Sequence, residues 1–385
     1  MVVIADDLSG AAECAVEFAQ PGVPAVLRLT QDPDRSGAQT IVWDLDARDR
    51  TPVLSPPMVH SIGQSHRIYL KIDSLLRGNW PQLVAALVHQ TARPAILCSA
   101  LPRLGRGLRD GFVDLESAPS ALRRGLVHRA DSAVQALTQA GVSAGHCRLP
   151  ARSDGDIYES LLQAVTRHTV IVVDAHTDSE LDAIARAIAV LPFPCTAIGS
   201  AGLAGAMARC AASAPPVCNF PVMASMAVLV GSRTGPAREQ LQRLAETSCQ
   251  PVCVWSAHGS GETSRVSDTR PSALQLFATP DDDRVMSAGA DLTRRFVADV
   301  LARLQTVDCW VATGGETARA LCDALEVSQL EVVGQIEPGV SLARMNTRGG
   351  PRHLVLKSGS FGDAQTLVRI ARLSGVLHSL PNERQ

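Results

Sequence analysis

The 385-residue chain predicts an α/β fold of two domains, each a mainly parallel sheet with flanking helices. Three observations carry this. Short apolar runs alternate with amphipathic stretches along the whole length, the pattern of strands joined by crossover helices. A hydrophobic fraction of 46% with only 3% aromatic residues suits Ala, Val and Leu packed between helices and buried strands. A proline-rich break, Ser-Ala-Pro-Pro-Val-Cys-Asn-Phe-Pro, interrupts the alternation at 213–221, because its prolines continue neither a helix nor a central strand.

Before the break, residues 2–5, 26–29, 41–43, 68–72, 95–98 and 170–173 read as strands. Residues 10–19, 81–90, 132–140, 157–168 and 179–191 read as helices. The break divides domains of 1–212 and 222–385 and serves as their linker. After it, strands are expected at 227–230, 251–255, 308–312, 332–333 and 353–356, and helices at 318–325, from Ser287 and from Ala364. The acidic run Asp281, Asp282 and Asp283 reads as a solvated turn rather than a metal site.

Several function classes are disfavoured. A net charge of −2 lacks the basic excess of a nucleic-acid binder. No run approaches the roughly 18 apolar residues of a membrane helix, and the start shows no secretion signal, so a cytoplasmic protein without nucleic-acid or membrane partners is expected. Ten cysteines include no C-x-x-C pair, Cys249 and Cys253 being the nearest couple, which favours reduced thiols over structural zinc. His66, His128 and His176 show neither metal-ligand spacing nor a nucleophile partner. A homo-oligomer stays open.

Three turns in the second half point to phosphate. Gly231-Ser232-Arg233-Thr234-Gly235 follows an apolar strand, as do Thr313-Gly314-Gly315-Glu316-Thr317 and Lys357-Ser358-Gly359-Ser360-Phe361-Gly362. At the carboxyl ends of parallel strands such turns present backbone N–H groups, hydroxyls and helix N-termini to one crevice, where a polyphosphate binds. Glycine admits phosphate oxygens close to the backbone, Ser232, Thr234, Thr317 and Ser358 add donors, and Lys357 adds charge. Each turn alone is a weak signal, since such residues are common in strand-to-helix connections; three together are stronger. None matches G-x-x-x-x-G-K-[ST] or G-x-G-x-x-G. Lys71 and Lys357 are the only lysines among 36 basic residues, and each falls in a motif where a compact point charge is useful.

The first half carries a different constellation. Asp6 and Asp7 close the first strand, where adjacent carboxylates can orient a hydroxyl, accept its proton or reach a metal. Helix capping explains one Asp but not two. After the strand at 68–72 come Asp73, Ser74, Arg77, Gly78 and Asn79. There Arg77 can grip a carboxylate bidentately beside the point charge of Lys71, against the plainer reading of an internal Lys–Asp pair. Gly105-Arg106 is a weaker third substrate-facing turn. Gly199 to Ala204 reads equally well as a cleft lining or as a close-packed helix start.

These residues resemble the four-carbon acid sugar kinases, formerly a domain of unknown function. The matching text is Ile4-Ala5-Asp6-Asp7-Leu8-Ser9-Gly10-Ala11, Lys71 to Asn79, Gly231 to Thr234, Gly314 to Thr317 and Lys357 to Gly362, in order across nearly the whole chain. The resemblance implies an N-terminal acid-sugar domain, a C-terminal nucleotide domain and an active site in the interdomain cleft. It implies ATP-dependent phosphorylation of the terminal hydroxyl of D-threonate, D-erythronate or a 3-oxo-tetronate, with ATP at Ser232, Gly314 to Thr317 and Gly359, and substrate at Asp6, Asp7, Asp73 and Arg77. Four departures lie on the substrate side: Ser9 for Thr, Leu75 for Thr, Gly107-Leu108 for Thr-Val, and a shortened 108–128 segment.

The expected chemistry is in-line γ-phosphoryl transfer from Mg-ATP (ATP with Mg2+) to a primary hydroxyl. Asp7 or Asp6 would be the base, Lys71 and Arg77 would hold the acid, and Lys357 would steady the phosphates, with no protein ligand assigned to the metal. Alternatives are a nucleotide-binding regulatory protein without transfer activity, a kinase for another small hydroxy acid, and a dehydrogenase lacking the usual fingerprint.

Overall fold

The computed structural model describes residues 1–19, 23–32, 36–48, 50–65, 67–115, 118, 131–149, 154–211, 220–232, 234–255, 272–280, 289–304 and 307–377. The chain divides into two units, Met1–Pro215 and Pro216–Gln385. Most of 213–221, together with His66, His128, Arg233, Asp281 to Asp283 and Ser287, lies outside the described residues.

The first unit begins with β1 (Val2–Ala5), α1 (Leu8–Phe18), β2 (Ala25–Arg28), β3 (Ile41–Asp44), α2 (Pro56–Gln64) and β4 (Ile68–Lys71). There follow α3 (Trp80–Thr91), β5 (Ala95–Cys98), a hairpin of β6 (Gly107–Arg109) and β7 (Phe112–Asp114), α4 (Ala133–Gln139) and β8 (Ala144–Cys147). It ends with α5 (Asp154–Val165), β9 (Val170–Val173), α6 (Asp178–Ala189), β10 (Thr196–Gly199) and α7 (Ala201–Cys210). Local signals fix the helix starts: Asp7 caps α1, Ser55 caps α2 ahead of two prolines, and Ser132 with Gln135 and Thr177 with Glu180 form capping boxes. The strands pair in the order β2-β3-β1-β4-β10-β5-β9-β8, every pair parallel. Residues of β1, β4, β5 and β9 are buried throughout, which is why, Lys71 apart, they read as apolar runs.

This order contains a switch point. The chain leaves β1 through α1 toward β2 on one side and leaves β4 through α3 toward β5 on the other, although β1 and β4 are neighbours. Connections that depart in opposite directions open a crevice at the carboxyl ends of that strand pair. Asp6 and Asp7 follow β1, and residues 72–79 follow β4.

The second unit comprises β11 (Met226–Val230), α8 (Gly235–Ser248), β12 (Val252–Val254), β13 (Leu274–Ala278), α9 (Gly289–Arg303), β14 (Cys309–Thr313) and α10 (Gly315–Ala324). It continues with β15 (Gln329–Glu337), β16 (Val340–Thr347), β17 (Gly350–Lys357) and α11 (Thr366–Leu373). The order β12-β13-β11-β14-β17-β16-β15 is parallel up to β17 and antiparallel from β17 through β16 to β15. The same device recurs: β11 and β14 are neighbours whose connections leave toward opposite edges, so this sheet too has a crevice at its strand ends.

The mainly parallel α/β expectation holds for both sheets. Missing from it were β6, β7, β8, β10, β13 and β16, and β15 spans nine residues rather than two. The antiparallel β15–β16–β17 strands leave some residues exposed, so Glu331, Arg344 and Asn346 interrupt their apolar text. Helix α10 starts at Gly315 rather than Ala318, because Gly314, with φ of 92°, turns the chain directly into its first turn. Among the described residues no helix is long and apolar enough to cross a membrane.

One core cluster of the first unit packs Ile4, Trp43, Leu70, Trp80, Leu97 and Ile198, and one of the second packs Val228, Leu244, Val311 and Val355. Leu97, fully buried in β5, tests the first: Leu97→Ala is expected to cost about 2–5 kcal/mol, read as a lower urea midpoint.

Candidate active site

At the end of β1, Asp6 is almost wholly buried while Asp7 keeps 19% of its side chain exposed. Arg48, from the segment after β3, bridges them: Nε–H donates to Asp6 Oδ2 and an Nη2 hydrogen to Asp7 Oδ1, each at 2.9 Å. Asp7 Oδ1 also accepts the Gly10 N–H at 3.0 Å, so Asp7 does cap α1. Asp6 Oδ1 is buried with no hydrogen-bond partner. Burial pushes the Asp6 carboxyl above its ordinary range, with Arg48 foremost among the groups opposing that shift.

Lys71 ends β4 buried beside this pair. Burial works against its charge, but Asp6, Asp7 and Glu13 outweigh it and hold the ammonium above its ordinary pKa. The fit is tight: a Cβ at Gly10 would lie 2.5 Å from Lys71 Nζ and 2.7 Å from Asp7 Oδ1. Glu13, buried on α1 with Oε1 unpartnered, is pushed up by burial against the pull of Lys71. Glu13 and Arg48 were not anticipated. A charged residue inside the otherwise apolar stretch Leu8 to Val16 was a usable signal for Glu13. None marked Arg48.

The segment after β4 places the remaining candidates. Arg77 grips Asp73 through Nε at 2.6 Å and Nη2 at 2.9 Å, and Asp73 Oδ2 also accepts the Arg77 N–H at 3.2 Å. Despite burial, the Arg77 bond and the nearby Arg48 charge hold Asp73 well below the usual carboxylate range. The bidentate geometry read from Arg77 is thus met by an internal carboxylate. Arg106, beyond β5, is buried, donates to Ser74 Oγ at 2.6 Å and has Nε without a partner. Its guanidinium makes no ion pair with a described carboxylate, and burial opposes its charge.

In the second unit the three glycine turns converge. Thr234 Oγ1 donates to the Gly359 carbonyl at 2.6 Å, and the Gly314 N–H donates to the Lys357 carbonyl at 2.8 Å. A Cβ at Gly231 would meet Thr317 Oγ1 at 2.1 Å, and one at Gly359 would meet Ser232 Oγ at the same distance. Neither Thr234 nor Gly314 caps its helix with a side chain, so the first-turn N–H groups of α8 and α10 have no side-chain cap. Lys357 is fully buried at the end of β17, with Nζ donating to the Ser358 carbonyl at 2.8 Å. Burial depresses it to about 8, partly opposed by Glu337. Glu316 is the exposed acid of these turns, and Gly362 packs against Thr366. Uncapped helix starts, hydroxyls and a desolvated ammonium together are the kind of donor set that can take an anion.

Two histidines engage carboxylates that their spacing did not reveal. His176 Nε2 lies 3.0 Å from Asp114, and His146 Nε2 lies 2.9 Å from Asp174. Asp110, His146 and Asp174 bring ligand atoms within 4.8 Å of one another. Asp174 also accepts the Asp110 and Gly111 N–H groups, and Asp110 pairs with Arg148, an arrangement that ties the β6–β7 hairpin to β8 and β9.

The model of the sugar-binding N-terminal domain matches residues 1–207, and that of the nucleotide-binding C-terminal domain matches 227–367. The chain belongs to the four-carbon acid sugar kinase family. It is 33% identical to a D-threonate kinase of Cupriavidus necator, over 95% of this chain and 96% of that one. It is 25% identical to a 3-oxo-tetronate kinase of Pseudomonas fluorescens over 93% of each. A solved Salmonella typhimurium structure superposes with a TM-score of 0.73 at 21% identity, covering 96% of this chain and 98% of that one, and shows the shared fold.

Within this acid sugar kinase chain, the sugar-domain residues are locked by close backbone approach. Gly78 has φ of 78°, and a Cβ there would lie 2.2 Å from the Arg48 carbonyl oxygen. Gly78→Ala is therefore expected to destabilise the protein by about 2 kcal/mol or more, read from its urea midpoint, because both the dihedral and the contact must give.

Proposed function

We propose that the chain is an ATP-dependent kinase that phosphorylates the terminal hydroxyl of a four-carbon acid sugar of the D-threonate, D-erythronate or 3-oxo-tetronate type. The observation that carries the reading is the contrast between the two switch-point crevices. One gathers acids and bases around Asp6 and Asp7, and the other gathers an anion receptor around Lys357. Relatives named as kinases match over nearly their whole length, and the 33% identity to a D-threonate kinase supports including D-threonate among the acids to test.

The chemistry divides accordingly. Asp7 accepts the proton of the primary hydroxyl as its oxygen bonds to the γ-phosphorus and the bond to the bridging β,γ-oxygen breaks, releasing ADP. Lys71, Asp73, Ser74, Arg77 and Arg106 shape the acid-sugar pocket, with the buried cations complementing its carboxylate. Ser232, Thr234, Gly314, Gly315, Thr317, Ser358, Gly359 and Gly362 cradle the nucleotide phosphates, and Lys357 neutralises them. Mg2+ would arrive as part of the Mg-ATP substrate, and Glu316 belongs to the nucleotide turns. Transfer requires the two ligands to meet, so exclusion of water during turnover belongs to this proposal.

ADP release from Mg-ATP against C4 and C5 aldonates and keto-aldonates tests it. Turnover is expected on one four-carbon acid, with Asp7→Asn lowering kcat about 10²–10⁴-fold at nearly unchanged substrate affinity. Tight ATP binding without turnover across the panel would replace the kinase with a non-catalytic nucleotide binder.

Lys357 supplies a second test. Phosphate favours its ammonium, whereas burial favours the neutral amine, so ADP affinity should fall as pH rises through about 8. Lys357→Met should weaken ADP binding roughly 10- to 100-fold at pH 7 and flatten that pH dependence, measured by calorimetry at pH 7 and 9.

A further inference from the structure

We infer that Arg48 is the positioning residue that divides the work of the two adjacent carboxylates, fixing Asp6 as a buried partner and presenting a single oxygen of Asp7 to the acceptor hydroxyl. This rests on the kinase reading above and settles which Asp is the base. Arg48 touches each carboxylate with a different nitrogen, at 2.9 Å in both cases. Asp7 Oδ1 is thereby doubly occupied, by Arg48 and by the Gly10 N–H, so Oδ2 of this partly exposed side chain is left for substrate. Asp6 offers no such oxygen, since Oδ2 holds Arg48 and Oδ1 is sealed from solvent.

The backbone of Arg48 ties the same residue to the neighbouring loop. Ala47 N–H donates to the Asp6 carbonyl at 3.0 Å, and the Arg48 carbonyl accepts the Asn79 N–H at 2.7 Å. Arg48 therefore links the ends of β1, β3 and β4. The groups facing the acid pair are Glu13 from α1, Lys71 from β4, and Asp73 and Arg77 from the segment after it. Lys71 already answers to Glu13 as well as to both Asp residues. Without Arg48 the two carboxylates face each other with too little positive charge, and a proton stays on the pair to higher pH. A guanidinium fork suits two acceptors in a way that a lysine ammonium does not.

The test compares wild type, Arg48→Gln and Arg48→Lys in the full chain. For Arg48→Gln, kcat at pH 7 is expected to fall about tenfold or more. The acid limb of the kcat profile should move up by about one pH unit, so that raising the pH restores part of the activity. KM for the acid sugar should stay within about threefold of wild type, and Arg48→Lys should be intermediate. If Arg48→Gln does not fold, as judged by thermal melting and ADP affinity, Arg48→Lys carries the comparison. A raised KM with an unmoved acid limb would make Arg48 a substrate ligand and overturn the assignment. Wild type inactive on every acid would instead sink the kinase reading. Carboxyl NMR titration would then decide on Arg48 alone: an upward move of Asp6 and Asp7 in the variant supports the role, and no move overturns it.

Discussion

Four carboxylates and four cations share the carboxyl ends of β1 and β4, and the rest of the first unit depends on keeping them matched. Asp6, Asp7 and Asp73 pair with Arg48 and Arg77, Lys71 and Glu13 are buried in their field, and Arg106 holds Ser74 in place of a carboxylate. Charges taken out of water are costly unless paired with good geometry, so the backbone around them has little freedom. That requirement explains why Gly10 and Gly78 sit where a methyl group would collide with Lys71 or Arg48. Asp46 takes a left-handed conformation two residues before Arg48, with its N–H on Asp44 Oδ1. An acid pair strung between two strands and a helix is rigid as a consequence of its own electrostatics.

The second unit solves a different problem with the same sheet device. Its turns carry few charges, and the buried cation at their centre, Lys357, has a backbone carbonyl as its hydrogen-bond acceptor. Glu337, the nearest acid of note, is engaged by Thr366 and Arg369. The ammonium is thus left under-neutralised, which is the condition that makes an arriving phosphate favourable. The first site balances its charge internally, and the second waits for charge to be supplied. Under the proposed reading the two states are complementary: an acceptor site that can take up a proton and a donor site that holds a polyanion.

What the sequence made legible follows the strand ends. Asp6, Asp7, Lys71, Asp73 and the three glycine turns stand out because a parallel strand, buried on both faces, reads as an apolar run whose end is sharply marked. The antiparallel strands β15 and β16 were faint because polar residues interrupt their text, and β8, written Ala-Gly-His-Cys, carries almost no apolar signal. Arg48 was illegible for another reason. It lies 42 residues from Asp6 in a chain with abundant arginine, and only the adjacency of β3 to β1 brings it there. Arg77 was read as a bidentate grip on a substrate carboxylate, and in the structure its bidentate partner is Asp73, four residues away.

The departures from the family text can now be weighed by position. Leu108 is fully buried in the first-unit core, where its N–H and carbonyl exchange hydrogen bonds with Ala175. Gly107 lies against His176, so a Thr there would strike the imidazole. These two changes re-pack the hairpin. Leu75 is buried in the turn after β4 and removes a hydroxyl next to Ser74, the residue that Arg106 holds. Ser9 stands between the Asp7 cap and Gly10, and loses only a methyl group relative to Thr. Two of the described departures, Leu75 beside Ser74 and Gly107 beside Arg106, therefore each subtract a Thr hydroxyl near the buried guanidinium. Under the proposed reading, these two lost hydroxyls are where this chain's choice of acid would part from that of the family text.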